Sequence, residues 1–167
     1  MEPIPTSPSD VPALTPSRKE LASAARRLSE DLSLIRLLAQ KSAYGDGLAP
    51  EIRTVLAESC LERVVRLVAF FYPEVKAGEG LRADHFAADP VAWRKVRPPM
   101  PGILKSHLTD MTRLVRADRW MVSDCRKAFG CWPLSSFATE LDGLMRDLEG
   151  QMSSEVAGWF RGPREVH

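Results

Sequence analysis

Histidine, cysteine and tyrosine are scarce in this chain of 167 residues: three, three and two. Each scarcity narrows the chemistry. Cys60, Cys125 and Cys131 are an odd number with no CxxC pair. A disulfide framework or a thiolate zinc site is therefore not expected, and neither a metal nor a cofactor is called for. The three read as buried or half-buried thiols in a reducing compartment. Excess charge of one sign is missing too. The 23 Lys and Arg against 22 Asp and Glu leave a net charge of +1, which gives no bulk attraction to nucleic acid or to a membrane surface. No apolar run approaches the roughly 20 residues that a membrane-spanning helix needs. The opening MEPIPTSPSD has neither the basic start nor the apolar core of a secretory signal, so a cytoplasmic location is the expectation. P-loop, GxGxxG, HExxH, GxSxG and EF-hand patterns are all lacking, as are β-type alternation and internal repeats.

What is present is helical periodicity. Ser17 and Glu20 form a capping box that opens a helix running to about Ser42, with Leu21, Ala24, Ala25, Leu28, Leu32, Ile35 and Leu38 or Ala39 as its buried stripe. Arg18, Lys19, Arg26, Arg27, Glu30, Asp31 and Arg36 fall mostly outside that stripe. Gly45 and Gly47 break the chain. The stretch 48–72 follows as the strongest helix, with Pro50 in its first turn and Pro73 at its end. Its apolar set is Leu48, Ile52, Val55, Leu56, Cys60, Leu61, Val64, Leu67, Val68, Phe70 and Phe71. From Val64 onward these residues go nearly all the way round, which marks a helix with more than one neighbour. The opposite face holds Arg53, Glu58, Glu62, Arg63 and Arg66, and Glu62 with Arg66 makes an i,i+4 ion pair.

The region 73–101 is the longest irregular one, with a short helical turn capped by Asp89 and opened by Pro90. Leu81, Phe86, Trp93 and Val96 are its candidate anchors on the bundle. Another helix runs from Gly102 to about Ala117, a shorter piece covers 120–129, and a last long helix covers about 134–160, weakened at Gly143, Gly150 and Gly158. The fold class expected is all-α: an antiparallel bundle of about four main helices plus one or two short helices. The organisation expected is a flexible N-terminal arm over 1–16, a single helical-bundle domain over 17–162 and a tail over 163–167.

His107 is the candidate catalytic residue. It sits at the edge of the apolar stripe of its helix, with Asp110 one turn on, where an imidazole and a carboxylate share a face. A ligand site under the 73–101 loop is the other candidate, with Trp93 and Phe86 as walls and Arg82, His85 and Arg97 as polar contacts. Arg82 or Arg97 would hold an anion there. Four Trp and six Met also suit an interaction surface.

The run from Glu58 to Phe71, ESCLERVVRLVAFF, resembles the second helix of HEPN-like bacterial helical proteins, with an acidic residue, Leu, Arg, Leu and a paired aromatic. Arg82-Ala-Asp84-His85-Phe86, Trp93 and Arg97-Pro98 resemble the loop that follows there. Lys105-Ser-His107-Leu108-Thr109 is similar to the next helix, and Trp120 comes at a matching distance. The resemblance covers about 48–120. It implies an antiparallel bundle that forms a homodimer, with a protein or RNA as further partner, no membrane, and a bacterial toxin–antitoxin or defence context. Active members carry an Arg four to six residues before a His, and two copies cut RNA across the dimer. Here Ile103, Gly102 and Pro101 occupy those positions, and the nearest preceding cation is Lys105. The resemblance therefore implies a catalytically degenerate module, with an endoribonuclease using His107 as its alternative.

Overall fold

The computed structural model describes residues 15–43, 49–75, 80–116 and 132–161. Among them lie six α-helices and two 3-10 turns, and no strand. Helix α1 spans Arg18–Ala43 and α2 spans Pro50–Phe71. The turns are Pro73–Val75 and Ala83–His85. Helix α3 is Pro90–Val96, α4 Gly102–Arg116, α5 Leu134–Glu149 and α6 Ser154–Phe160. The expected helical piece over 120–129, most of the N-terminal arm and the tail lie outside the described residues.

The capping box opens α1 as the sequence dictates. Ser17 donates its backbone N–H to Glu20 Oε2 at 2.7 Å, and the Glu20 N–H points back to Ser17 Oγ at 3.3 Å. The Ser17 hydroxyl also donates to Glu20 Oε2 at 2.6 Å, and this bond together with that from the Ser17 N–H favours the charged carboxylate and lowers the Glu20 pKa. Ala25, Leu28, Leu32, Ile35 and Ala39 are buried along one stripe, as their spacing requires. Helix α2 lies at the centre of the bundle and packs against α1, α4, α5 and the turn after it. From Val64 to Tyr72 only Arg66 is exposed. The all-round apolar second half of this helix is thus explained by neighbours on several sides. Cys60 lies on the same buried face, and burial pushes its thiol up to about 11.

Asp31 departs from its expected place on the outer face. It is 7% exposed and sits between α1 and α2, within 3.2 Å of Arg63 Nε and 3.0 Å of Arg66 Nη1. A carboxylate can be buried here because two guanidinium groups from the facing helix reach it, Arg66 by a hydrogen bond and Arg63 by charge alone, its Nε being buried without a hydrogen-bond partner. Arg63 also donates to the Ser59 carbonyl at 2.8 Å and contacts the Ser59 hydroxyl. Asp31 lies twelve residues before the end of α1 and Arg63 thirteen after the start of α2, the register of an antiparallel pair. Arg66 keeps its expected partner Glu62 at 3.3 Å.

The first turns of α2 also depart from expectation. Ile52 is 49% and Val55 63% exposed, although the spacing places both on the apolar face. The final helix is two helices rather than one. Gly150 ends α5, its N–H bonding to Arg146 O. The Gln151 carbonyl turns out of the helix to accept from Ala88 N–H at 2.8 Å. Ser153 then caps α6 by accepting from Val156 N–H. The break lets Phe160 fold back onto Phe86, with ring centroids 5.4 Å apart. Ser29 Oγ donates to Phe160 O at 2.8 Å from α1.

Candidate functional site

The 73–101 loop is fastened at both ends, and the fastening uses most of its candidate site residues. Asp89 caps α3 by accepting from Val91 and Ala92 N–H at 2.9 and 3.0 Å. Pro90 follows at the first helical position, and together they aim Trp93 inward. Trp93 and Phe86 are each 2% exposed, inside the main core. They are packing residues of that core. Val96, an expected anchor, is 58% exposed and anchors nothing. Polar bonds take its place. Tyr72 donates its hydroxyl to Pro98 O at 3.0 Å. Arg97 donates to Phe71 O at 2.8 Å and to Glu74 at 3.0 Å, and its guanidinium lies 4.9 Å from the Tyr72 ring centre. Arg97 therefore closes the carboxyl end of α2, where unsatisfied carbonyls favour a cation. Burial pushes the Tyr72 hydroxyl up to about 12.

Asp84 is 7% exposed. Arg94 reaches its Oδ2 at 3.0 and 2.7 Å, and Arg82 approaches its Oδ1 at 3.5 Å. The second contact lacks hydrogen-bond alignment, since Oδ1 is buried without such a partner. Asp84 ties the 3-10 turn to α3 in this way. Arg82 is thus turned to Asp84 and Arg97 to Glu74 and the end of α2, while Trp93 lies in the core.

His85 is placed differently. Its Nδ1 accepts from Arg82 N–H at 3.2 Å, which leaves the proton of the neutral ring on Nε2. Burial lowers its pKa from the ordinary 6.5, Asp84 opposes that shift, and Arg82 and Arg94 reinforce it. A histidine with a depressed folded pKa contributes stability that is complete above the ordinary value. That contribution is lost as pH falls through the ordinary value towards the depressed one, because the unfolded chain then binds a proton the folded one refuses. Denaturation between pH 7 and about 5.5 should therefore show a loss of stability, and His85→Asn, which keeps an acceptor near the Nδ1 position, should show a smaller one. An equal loss in both proteins would remove His85 as the cause. His85 also borders an open cleft of ≈ 500 Å³ between α1 and the 80–85 segment, whose other walls include Glu20, Ser23, Ala24, Arg27 and Leu81.

His107, on α4, is half-buried. Its ring forms a three-ring cluster with Trp132 and Phe137, whose centroids are 5.7 and 5.5 Å away. Its Nδ1 is 2.9 Å from Ile103 O and 3.0 Å from Ser106 Oγ. A carbonyl can only accept, so Nδ1 carries the proton and Nε2 is the basic nitrogen. Asp110 is exposed one turn on, and the ring bonds just given go to Ile103 and Ser106. Among the described residues, no group of three or more His, Cys, Asp or Glu side chains is placed to hold a metal ion. Likewise, no described helix is long and apolar enough to cross a membrane.

Asp31 and Arg27 take places that the sequence alone does not assign. Asp31 follows Leu28 by three residues and precedes Ile35 by four, a helical signal that places it at the edge of the buried stripe. Arg27 carries no such signal, because the cleft it borders is completed by a loop more than fifty residues away. Fold and geometry define an all-α bundle with a cleft beside α1. Comparison of the chain with protein-family models, curated proteins and solved structures gives no match.

Proposed function

We propose that this chain is a non-catalytic helical interaction module that works as a homodimer, with a protein or RNA as further partner. One observation carries the reading. Of the six large hydrophobic residues exposed among the described ones, four gather at one end of the α1–α2 pair: Leu34, Leu37, Ile52 and Val55, exposed by 38% to 63%. Lone apolar residues on a surface need no explanation, whereas several at one end of a helix pair suit an interface. Lys41 on α1 and the acidic Glu51 and Glu58 on α2 are exposed in the same part of the pair. A two-fold contact brings the same patch of both copies together, and such a mixture of signs suits it. The resemblance of 58–71 and 105–109 to HEPN-like proteins supports the same reading and suggests the toxin–antitoxin or defence context.

Sedimentation at several concentrations tests it. The full chain should run at twice its 18.6-kDa mass, and Leu37→Glu with Val55→Glu should give a folded monomer. A wild-type monomer at every concentration would refute the proposal. The endoribonuclease alternative draws on His107, whose Nε2 is the basic nitrogen. It requires RNA cleavage by the purified chain that His107→Ala abolishes while the melting temperature is retained.

A further inference from the structure

Among the described residues most arginines act as struts. Eight arginines, Arg18, Arg36, Arg63, Arg66, Arg82, Arg94, Arg97 and Arg161, reach a carboxylate. Arg27, like Arg26 and Arg146, has no carboxylate partner among the described residues, and unlike those two it borders the cleft between α1 and the 80–85 segment. We propose that this cleft binds a small monocarboxylate with an apolar body, held by Arg27 and the His85 Nε2–H.

The groups around the cleft select that class. Its ≈ 500 Å³ lies within the range of about 300–1,000 Å³ usual for small-molecule sites. Arg27 supplies the cation, and its planar fork matches a carboxylate. His85 spends Nδ1 on Arg82 N–H, so its other nitrogen is a donor whether the ring is neutral or charged. Ser23 adds a hydroxyl, and Ala24 and Leu81 add apolar wall. Glu20 limits the charge that can enter. Ser17 holds it with its backbone N–H and hydroxyl at 2.7 and 2.6 Å, which keeps it ionised at one edge of the cleft. A single negative charge balances Arg27 there, and a second would be repelled by Glu20. A cationic ligand would meet Arg27. The apolar patch on α1 and α2 takes no part, so the site is independent of dimer formation.

Titration of the full-length, isotope-labelled chain followed by amide resonances tests this, with benzoate as the probe and inorganic phosphate and benzylamine as controls. Benzoate should give saturable shifts at the Ser23, Ala24, Leu81 and His85 amides, with a dissociation constant on the order of 1 mM. Arg27→Gln, a change at an exposed position, should keep the melting temperature and weaken binding about tenfold or more. The proposal is overturned if benzoate gives no saturable shift, or if Arg27→Gln binds it as well as wild type does. Phosphate or benzylamine binding as tightly as benzoate would also overturn it.

Discussion

Trp93→Ala should remove about 3–5 kcal/mol of stability, the usual loss for emptying a large aromatic site in a core. Trp93 is 2% exposed and belongs to the same cluster as Phe71, Phe86 and Leu104. Its position depends on Asp89 and Pro90, which fix the direction of α3, and on Arg97, which locks the exit from α3 to the end of α2. A void at Trp93 would be lined by side chains that those bonds hold back from collapse. Domains of this size have only about 5–15 kcal/mol in hand, so the variant should unfold at markedly lower denaturant. Val96→Ala, three residues on at a 58% exposed position, should change stability by no more than about 0.5 kcal/mol. Denaturation of the two variants against wild type decides the point. A mild Trp93→Ala would mean that the loop is not part of the core.

Asp31→Ala should be the most costly polar change, at roughly 2–3 kcal/mol. Breaking a fully buried ion pair costs about 3–5 kcal/mol, because the remaining charge is left without a partner. The figure here is lower because the Arg66 side chain is 56% exposed and can turn to water, whereas Arg63 is only 25% exposed and cannot. Asp31→Ala in an Arg63→Ala background should therefore cost clearly less than in wild type, and a double-mutant cycle measures the difference. Equal costs in both backgrounds would show that Asp31 and Arg63 do not act together. Arg36 with Asp142 makes a useful contrast. That pair is geometrically better, at 2.7 Å with two nitrogens engaged, and the carboxylate raises the Arg36 pKa. Arg36 is half exposed, so water competes and its removal should cost no more than about 1 kcal/mol.

The resemblance to HEPN-like proteins rests on residues that now have structural work of their own. Phe70 and Phe71 meet edge to face at 5.0 Å and line the core, and Phe70 continues to Phe86 at 5.6 Å. Arg63 and Arg66 bind Asp31. His107 bonds back to its own helix. Packing and ion pairing alone would favour these residues at these positions. The resemblance is therefore best tested through dimer formation and RNA cleavage.

The sequence by itself determined most of the described helices and much of their capping. The Ser17–Glu20 box, the Asp89–Pro90 start of α3 and the wide apolar band of 64–72 are local signals, read from residues within a turn or two of one another. For the same reason it placed Leu28, Leu32, Ile35 and Cys60 inside. Tertiary structure decided the rest. Whether Asp31 is a surface charge or a buried link depends on which part of α2 lies opposite, and Arg63 is more than thirty residues away. Whether 134–160 forms one helix or two depends on Ala88 being there to bind the Gln151 carbonyl. Ile52 and Val55 have the right spacing for a core, yet no described neighbour covers them. The cleft beside His85 is the furthest from sequence. Arg27 and His85 border one cleft only when the 80–85 segment folds across α1, since spacing along a helix says nothing about what crosses it.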